Sequence, residues 1–294
     1  VFTAVAVGAA PSVAMKLIAE ITEVVPAPPQ PEVSLTPKSG VTYTDGINGL
    51  SDDELDEIAE TISAASATVT NATEELYCDY GDTHRHISIG DQISYTMDGN
   101  SYPFRIMGFN HYDKSDGSGK AGILMQMVDC FNTTQKMTSR ATSNAGWHNS
   151  DLRTWMNGTM LGYLPSAAQS TIKQVNISTA QDVSTATLST TVDKLFVPAE
   201  VEVFGSATRA EGGTAEGTWY AWYKANNTAA NRVKKVNGSA NTWWERSPDT
   251  WRSHPVRYAA FCSVLDPDKA ARSGTDDGML SVDSTNGVAP CFCI

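Results

Sequence analysis

The sequence predicts an α+β fold, and three observations carry that expectation. Charged residues are sparse, at 18%, while Gly, Thr, Ser, Asn and Trp are plentiful, a balance that favours loop-rich structure built on strands. From residue 87 onward, short apolar runs are separated by turn residues such as Asp98-Gly99 and Asp116-Gly117. Two capped helical stretches interrupt those strands midway, near Ser150 and Pro165.

Residues 1–14 are apolar but lack the basic leader of a signal peptide, and no Met begins the chain, so processing or trimming is expected. A short helix is expected over 14–21. The run Pro26-Ala27-Pro28-Pro29-Gln30-Pro31 reads as a semi-rigid polyproline spacer, because proline lacks the donor and fixes φ. Ser51-Asp52-Asp53-Glu54 is a capping box opening a helix that runs to about Ser66, with Leu55, Ile58, Ala59, Ile62 and Ala65 on one face. So short an amphipathic helix is marginal alone. Its stripe must pack either on the main domain or on sister helices of an oligomer, with a homotrimer the sharper expectation.

Beyond residue 87, strand 89–97 turns at Met97-Asp98-Gly99-Asn100 into strand 102–109. A second turn, 114–120, leads to the apolar strand 121–128. Ser150 caps a helix that places Leu152, Trp155 and Met156 on one face, and Pro165 starts another over 166–173. Residues 176–191 are rich in Ser, Thr and Ala, a long loop or a weak hairpin. Strands are expected over 194–197 and 200–204, then a Gly-rich insertion over 205–217. In the cluster Trp219, Tyr220, Trp222, Tyr223, strand alternation would set Trp219 and Tyr223 against Tyr220 and Trp222. The chain ends on a buried strand, 288–294. The expected organisation is an extended attachment segment (1–50), a helix and connector (51–86) and a main domain (87–294).

With 294 residues and a net charge of −12, the chain can bury a large core but is ill suited to neutralising nucleic-acid phosphates. No apolar run reaches the roughly eighteen residues of a membrane span, so no membrane insertion is expected. Cys78, Cys130, Cys262, Cys291 and Cys293 lack zinc-site spacing and read as buried thiols. A Cys262–Cys293 crosslink would require both on adjacent core strands. His84-Arg85-His86 imitates a metal pair but fits a solvated hairpin better. His111, His148 and His254 are scattered, with no nucleophile signature beside them. Asp266-Pro267-Asp268 and Asp276-Asp277-Gly278 are fragments of calcium loops without the closing Glu; calcium is not favoured, and no cofactor or catalytic residue is expected.

Trp243 and Trp244 fit core anchors, with Glu245 and Arg246 paired or hydrogen-bonded near the floor of a site. The segment that follows is the strongest candidate for ligand contact. Trp251, Arg252, His254, Arg257 and Tyr258 fall within ten residues, and such side chains dominate interface energetics because little entropy is lost on ordering them.

Trp243-Trp244-Glu245-Arg246-Ser247-Pro248, Phe261-Cys262-Ser263-Val264 and the ending Gly287-Val288-Ala289-Pro290-Cys291-Phe292-Cys293-Ile294 carry a family resemblance. Ile89-Gly90-Asp91, residues 104–111, 125–130 and 152–157, and Asp193-Lys194-Leu195-Phe196 extend it over 87–294. In these motifs the chain resembles the variable proteins of diversity-generating retroelements in phages and gut bacteria, which adopt a C-type lectin fold. The resemblance implies that a reverse transcriptase rewrites adenine-derived codons near the 3′ end of the gene, here over about 249–286. Trp251, Lys269 and Met279 depart from that pattern, since the common templates AAC and AAT do not reach them.

The expected ligand surface comprises Asp249, Thr250, Trp251, Arg252, Ser253, His254, Arg257, Tyr258, Asp268, Arg272, Thr275, Asp277 and Asp283. The implied role is receptor binding on a virion tail or fibre tip, or on a bacterial cell surface, with a host-cell surface protein or glycan as partner. Other virion proteins would be held through the N-terminal segment. Two alternatives stand beside it: an oxidoreductase resembling the formylglycine-generating enzymes, and a virion decoration protein without a ligand.

Overall fold

The computed structural model describes residues 31–139, 146–182, 185–207, 213–248, 259–262, 270–271 and 282–294. The apolar stretch 1–14, the helix expected over 14–21 and all of the proline spacer but Pro31 lie outside them. Strands β1 (Glu32–Ser34), β2 (Thr44–Asp45), β3 (Glu75–Tyr80) and β4 (Thr83–Ser88) form one sheet in the order β1-β3-β4-β2. Strand period decides its faces: Leu76, Cys78 and Ile87 point into the core, while Tyr77, Asp79, His84 and His86 share the outer side.

Between β2 and β3 runs α1 (Asp52–Ala64). Its capping box is complete: Glu54 N donates to Ser51 Oγ at 3.2 Å and Ser51 N to Glu54 Oε2 at 2.8 Å. Leu55, Ile58, Ala59 and Ile62 are wholly buried, in one core cluster with residues of the main domain. The approach is close enough that a Cβ on Gly122 would lie 1.9 Å from Ala59 O. Lys173 binds Asp56 and Glu60 across the same junction, at 2.8 and 2.9 Å. The stripe is therefore covered by its own chain, which is the packing on the main domain that stood beside helix-on-helix packing in an oligomer. Ile47 and Leu50 join the same cluster, so the first fifty residues are not wholly an extended arm.

The central sheet is β5 (Gln92–Met97), β6 (Asn100–Phe109), β7 (Ile123–Met127) and the last strand of the chain, in the order last-β7-β6-β5. Asp98 and Gly99 take φ of 47° and 75°, the two left-handed positions that a two-residue hairpin of this twist requires. All five residues of β7 are buried.

The middle of the chain holds β8 (Gln135–Lys136), α2 (Asp151–Trp155), α3 (Ser166–Thr171) and the long hairpin of β9 (Val175–Asp182) and β10 (Thr185–Asp193). Ser150 Oγ accepts from Arg153 N at 3.0 Å, as its capping position demands. The next stretch corrects the sequence reading. Residues 200–204 are not a strand but α4 (Glu200–Phe204). Glu202 reaches back to Ala199 N at 2.8 Å, and Gly205, at φ 72°, closes the C-terminus in the left-handed region. The aromatic cluster is not a strand either: Trp222 and Tyr223 lie in α5 (Ala221–Ala225) with Tyr220 as its N-cap, and Tyr220, Trp222 and Tyr223 are all buried rather than split between two faces. The strand expected over 194–197 is reduced to one bridge, Phe196 to Cys291.

α6 (Ala229–Arg232) leads to the hairpin of β11 (Lys234–Val236) and β12 (Ser239–Asn241). A three-stranded sheet follows, β13 (Trp243–Pro248), β14 (Ala259–Cys262) and β15 (Ala270–Ala271). β16 (Thr285–Asn286) pairs with β8, and β17 (Cys291–Cys293) completes the central sheet against β7. Val288, Phe292 and Ile294 are buried to within 1%, as expected for the terminal strand. Cys262 and Cys293 fall in different sheets and Cys293 is a free thiol, so the crosslink between them is not formed.

Candidate binding surface

Of the thirteen expected ligand-contact residues, Asp249, Thr250, Trp251, Arg252, Ser253, His254, Arg257, Tyr258, Asp268, Arg272, Thr275 and Asp277 lie outside the described residues. Asp283 is described, and it is exposed in the turn before β16. The calcium-loop fragments fall outside as well. What the structure does describe is the frame. Pro248 and Ala259, which bracket 249–258, are direct partners across β13 and β14, and Phe261 and Cys262 pair onward with Ala271 and Ala270.

β13 is buried along its whole length. Trp243 Nε1 donates to Arg232 O at 3.0 Å and Trp244 Nε1 to Gln135 O at 2.7 Å, so both rings are core anchors with their polar atoms satisfied. Arg246 spends its donors inside the protein. Nη1 and Nη2 fork onto Glu202 at 2.6 and 2.8 Å, and the rest reach Val197 O, Glu216 O and Thr179 Oγ1 at 3.1, 2.6 and 3.1 Å. Glu202 also accepts from Tyr112 and Tyr220 hydroxyls at 2.6 and 2.9 Å.

Burial alone would push the Glu202 carboxyl upward; the Arg246 charge, with His111 and the hydrogen bonds, instead brings it down to about 2. Burial and the Glu202 charge drive both tyrosine hydroxyls far above their ordinary range. The pairing expected at this floor is thus real for Arg246, but its partner is Glu202 rather than a neighbour on the strand.

Glu245 has the opposite fate. It is wholly buried, neither carboxylate oxygen has a hydrogen-bond partner among the described residues, and burial together with the charges of Glu200, Glu216 and Glu202 raises its pKa well above 4.5. Glu216 is also raised, by burial first, although Ala180 N and Ser247 Oγ bind its carboxylate. Ser247 Oγ in turn accepts from Glu200 N at 3.0 Å. Sequence reasoning missed Glu202, Glu216, Tyr112 and Tyr220. The available signal was Arg246 itself: a guanidinium on a strand opening with two tryptophans must find an acid somewhere in the chain.

Elsewhere, His84 and His86 pair with Asp79, Asp45 and Glu75 on the outer sheet. Among the described residues no group of three or more His, Cys, Asp or Glu side chains is arranged to hold a metal ion. No described helix is long and apolar enough to cross a membrane.

The family model for a domain of unknown function (DUF6273) matches residues 119–294, more than half of the chain. The chain belongs to that family. No curated protein and no solved structure matches it. The matched region takes in β7, α2 to α6, β13 and the terminal β17, and with them both members of the Arg246–Glu202 pair.

Proposed function

We propose that this chain is a receptor-binding protein in which a C-type lectin-like domain presents the irregular residues 249–286 to a host-cell surface protein or glycan. The N-terminal segment would serve attachment to a phage particle or a bacterial surface. One observation carries the reading: the segment least regular in sequence lies between β13 and β17, each anchored by residues outside it, and its own strands β14 and β15 extend that anchored sheet. β13 is held by two satisfied tryptophans and the Arg246–Glu202 fork, and β17 by the central sheet. A fold accepts unrelated residues only where the core does not depend on them, since core exchanges cost kilocalories and exposed ones about 0.5 kcal/mol or less. The antiparallel sheets, the two mid-chain helices and the long connections support the lectin-like form.

The oxidoreductase alternative would require an activated thiol. Cys291 and Cys293 are wholly buried, and burial above all pushes both thiols up, away from the thiolate. This favours binding over cysteine chemistry.

The test is the triple variant Trp251→Ala, Arg252→Ala, Tyr258→Ala. Its melting temperature should match the parent while attachment to the cognate cell or receptor is lost. A large fall in melting temperature with attachment retained would place these side chains in the scaffold and the binding surface elsewhere. A parent that attaches to no host cell would favour the decoration protein.

A further inference from the structure

Residues 35–46 run across the outer face of β3 and β4 as a strap, mostly exposed until Ile47 and Leu50 enter the core. The backbone holds it at its two ends: β1 pairs with β3 before it, and β2 is a two-residue parallel pairing, Thr44 with Arg85 and Asp45 with His86, continued by Gly46 N donating to His86 O at 2.8 Å. Side chains supply the remaining ties. Lys38 and Tyr43 reach Asp79 at 2.9 and 3.3 Å, and Arg85 reaches Asn48 O at 3.2 Å.

His86 stands at the junction of strap and hairpin. Its Nδ1 lies 2.9 Å from Asp45 Oδ1 on the strap, its Nε2 lies 3.2 Å from Glu75 Oε2 on β3, and its ring stacks on Tyr77 at 4.7 Å. A carboxylate only accepts, and a neutral imidazole has a single N–H. Both contacts are therefore hydrogen bonds only when the ring carries two protons.

We propose that His86 is a proton-operated clasp: as imidazolium it joins Asp45 of the strap to Glu75 of the hairpin, and on losing a proton it releases one of them. The charged groups around it are Asp45 from β2, Glu75 from β3 and Asp91 from the turn after β4, with His84 two residues away on its own strand. The Asp45 hydrogen bond chiefly, against the effect of burial and with help from Glu75, raises its pKa above the ordinary 6.5. The sign follows. A raised basic group contributes fully below its undocked pKa and loses that contribution as pH climbs through the docked value. Below the undocked pKa the strap is tightest, and it loosens as pH rises through the docked one. Asp79 is held below the usual carboxylate range and Lys38 above the usual amine range, so the neighbouring tie keeps its charges throughout. His84, 2.6 Å from Asp79, is the control histidine.

Amide exchange of Gly46 on the full chain, corrected for intrinsic rates, is the readout. Protection should fall between pH 5.5 and 8.5, about tenfold for each unit by which docking raises the His86 pKa. His86→Gln should flatten that profile, and so should Asp45→Asn, whose side chain is 90% exposed and outside the core. Nitrogen-15 spectra should show both ring nitrogens of His86 protonated at pH 5.5. A flat parent profile, a His86→Gln profile that coincides with the parent, or a profile abolished by His84→Gln alone would overturn the clasp.

Discussion

Removing either half of the Arg246–Glu202 pair leaves a buried charge without its counterpart. Glu202→Gln strips the guanidinium of its carboxylate, and Arg246→Met strips the carboxylate of its fork. Each should cost about 3–5 kcal/mol. An independent figure comes from the pKa: a carboxyl lowered from 4.5 to about 2 corresponds to about 3 kcal/mol of stability. Because the folded pKa is depressed, that contribution is complete above pH 4.5 and disappears as pH falls through about 2. Urea unfolding at pH 7 gives the single-variant costs. The double variant should cost clearly less than the two singles together, since it removes both charges at once, and its difference from the parent should shrink as pH drops from 5 to 2.5. If the single variants lose less than about 1 kcal/mol, or the three values add to within about 0.5 kcal/mol, the pair is not the lock on β13.

Two further outcomes are expected. Glu245→Met removes a buried carboxyl that has no hydrogen-bond partner among the described residues and should raise stability at pH 7.5 by about 1–3 kcal/mol. Since a raised carboxyl pKa costs the parent stability as pH rises from 4.5, the advantage seen in thermal melts should shrink toward pH 4. Truncation after Asn286 removes the buried Val288, Phe292 and Ile294, at about 1.5–3 kcal/mol each against a total of about 5–15. The product should lack a cooperative melt.

What was legible in the sequence was local. The Ser51–Glu54 capping box, the Ser150 cap, the helix start at Pro165 and the Asp98-Gly99 hairpin each rest on chemistry within four residues of the chain. α4 was hidden because both of its apparent strand faces, Glu200 and Glu202 as well as Val201 and Val203, end up buried. Alternation of polar and apolar residues then says nothing about which face meets water. The aromatic cluster misled for the same reason. The apolar stripe of α1 is plain in the sequence, but its destination depends on Gly122, about sixty residues on, lacking a side chain. Arg246 announces a buried acid without saying which: Glu202 lies 44 positions earlier, in a segment whose alternation imitates a strand.

The distribution of charge bears on how such a scaffold could carry a changeable surface. Residues 31–100 hold fourteen acidic side chains against two basic ones, Lys38 and Arg85, a balance of −12 equal to that of the entire chain. Everything else is neutral on balance, the 249–286 segment included within it. On the proposed reading this division has a physical use. A segment whose residues are exchanged freely will gain or lose a few charges at each round, and a protein near zero net charge associates and precipitates. A fixed acidic contribution from the region of α1 and the first sheet keeps the chain well away from zero whatever the segment becomes. Solubility is thereby carried by residues outside the changing surface, much as stability is carried by β13 and β17. The ligand-facing side chains are then left to be chosen for contact alone.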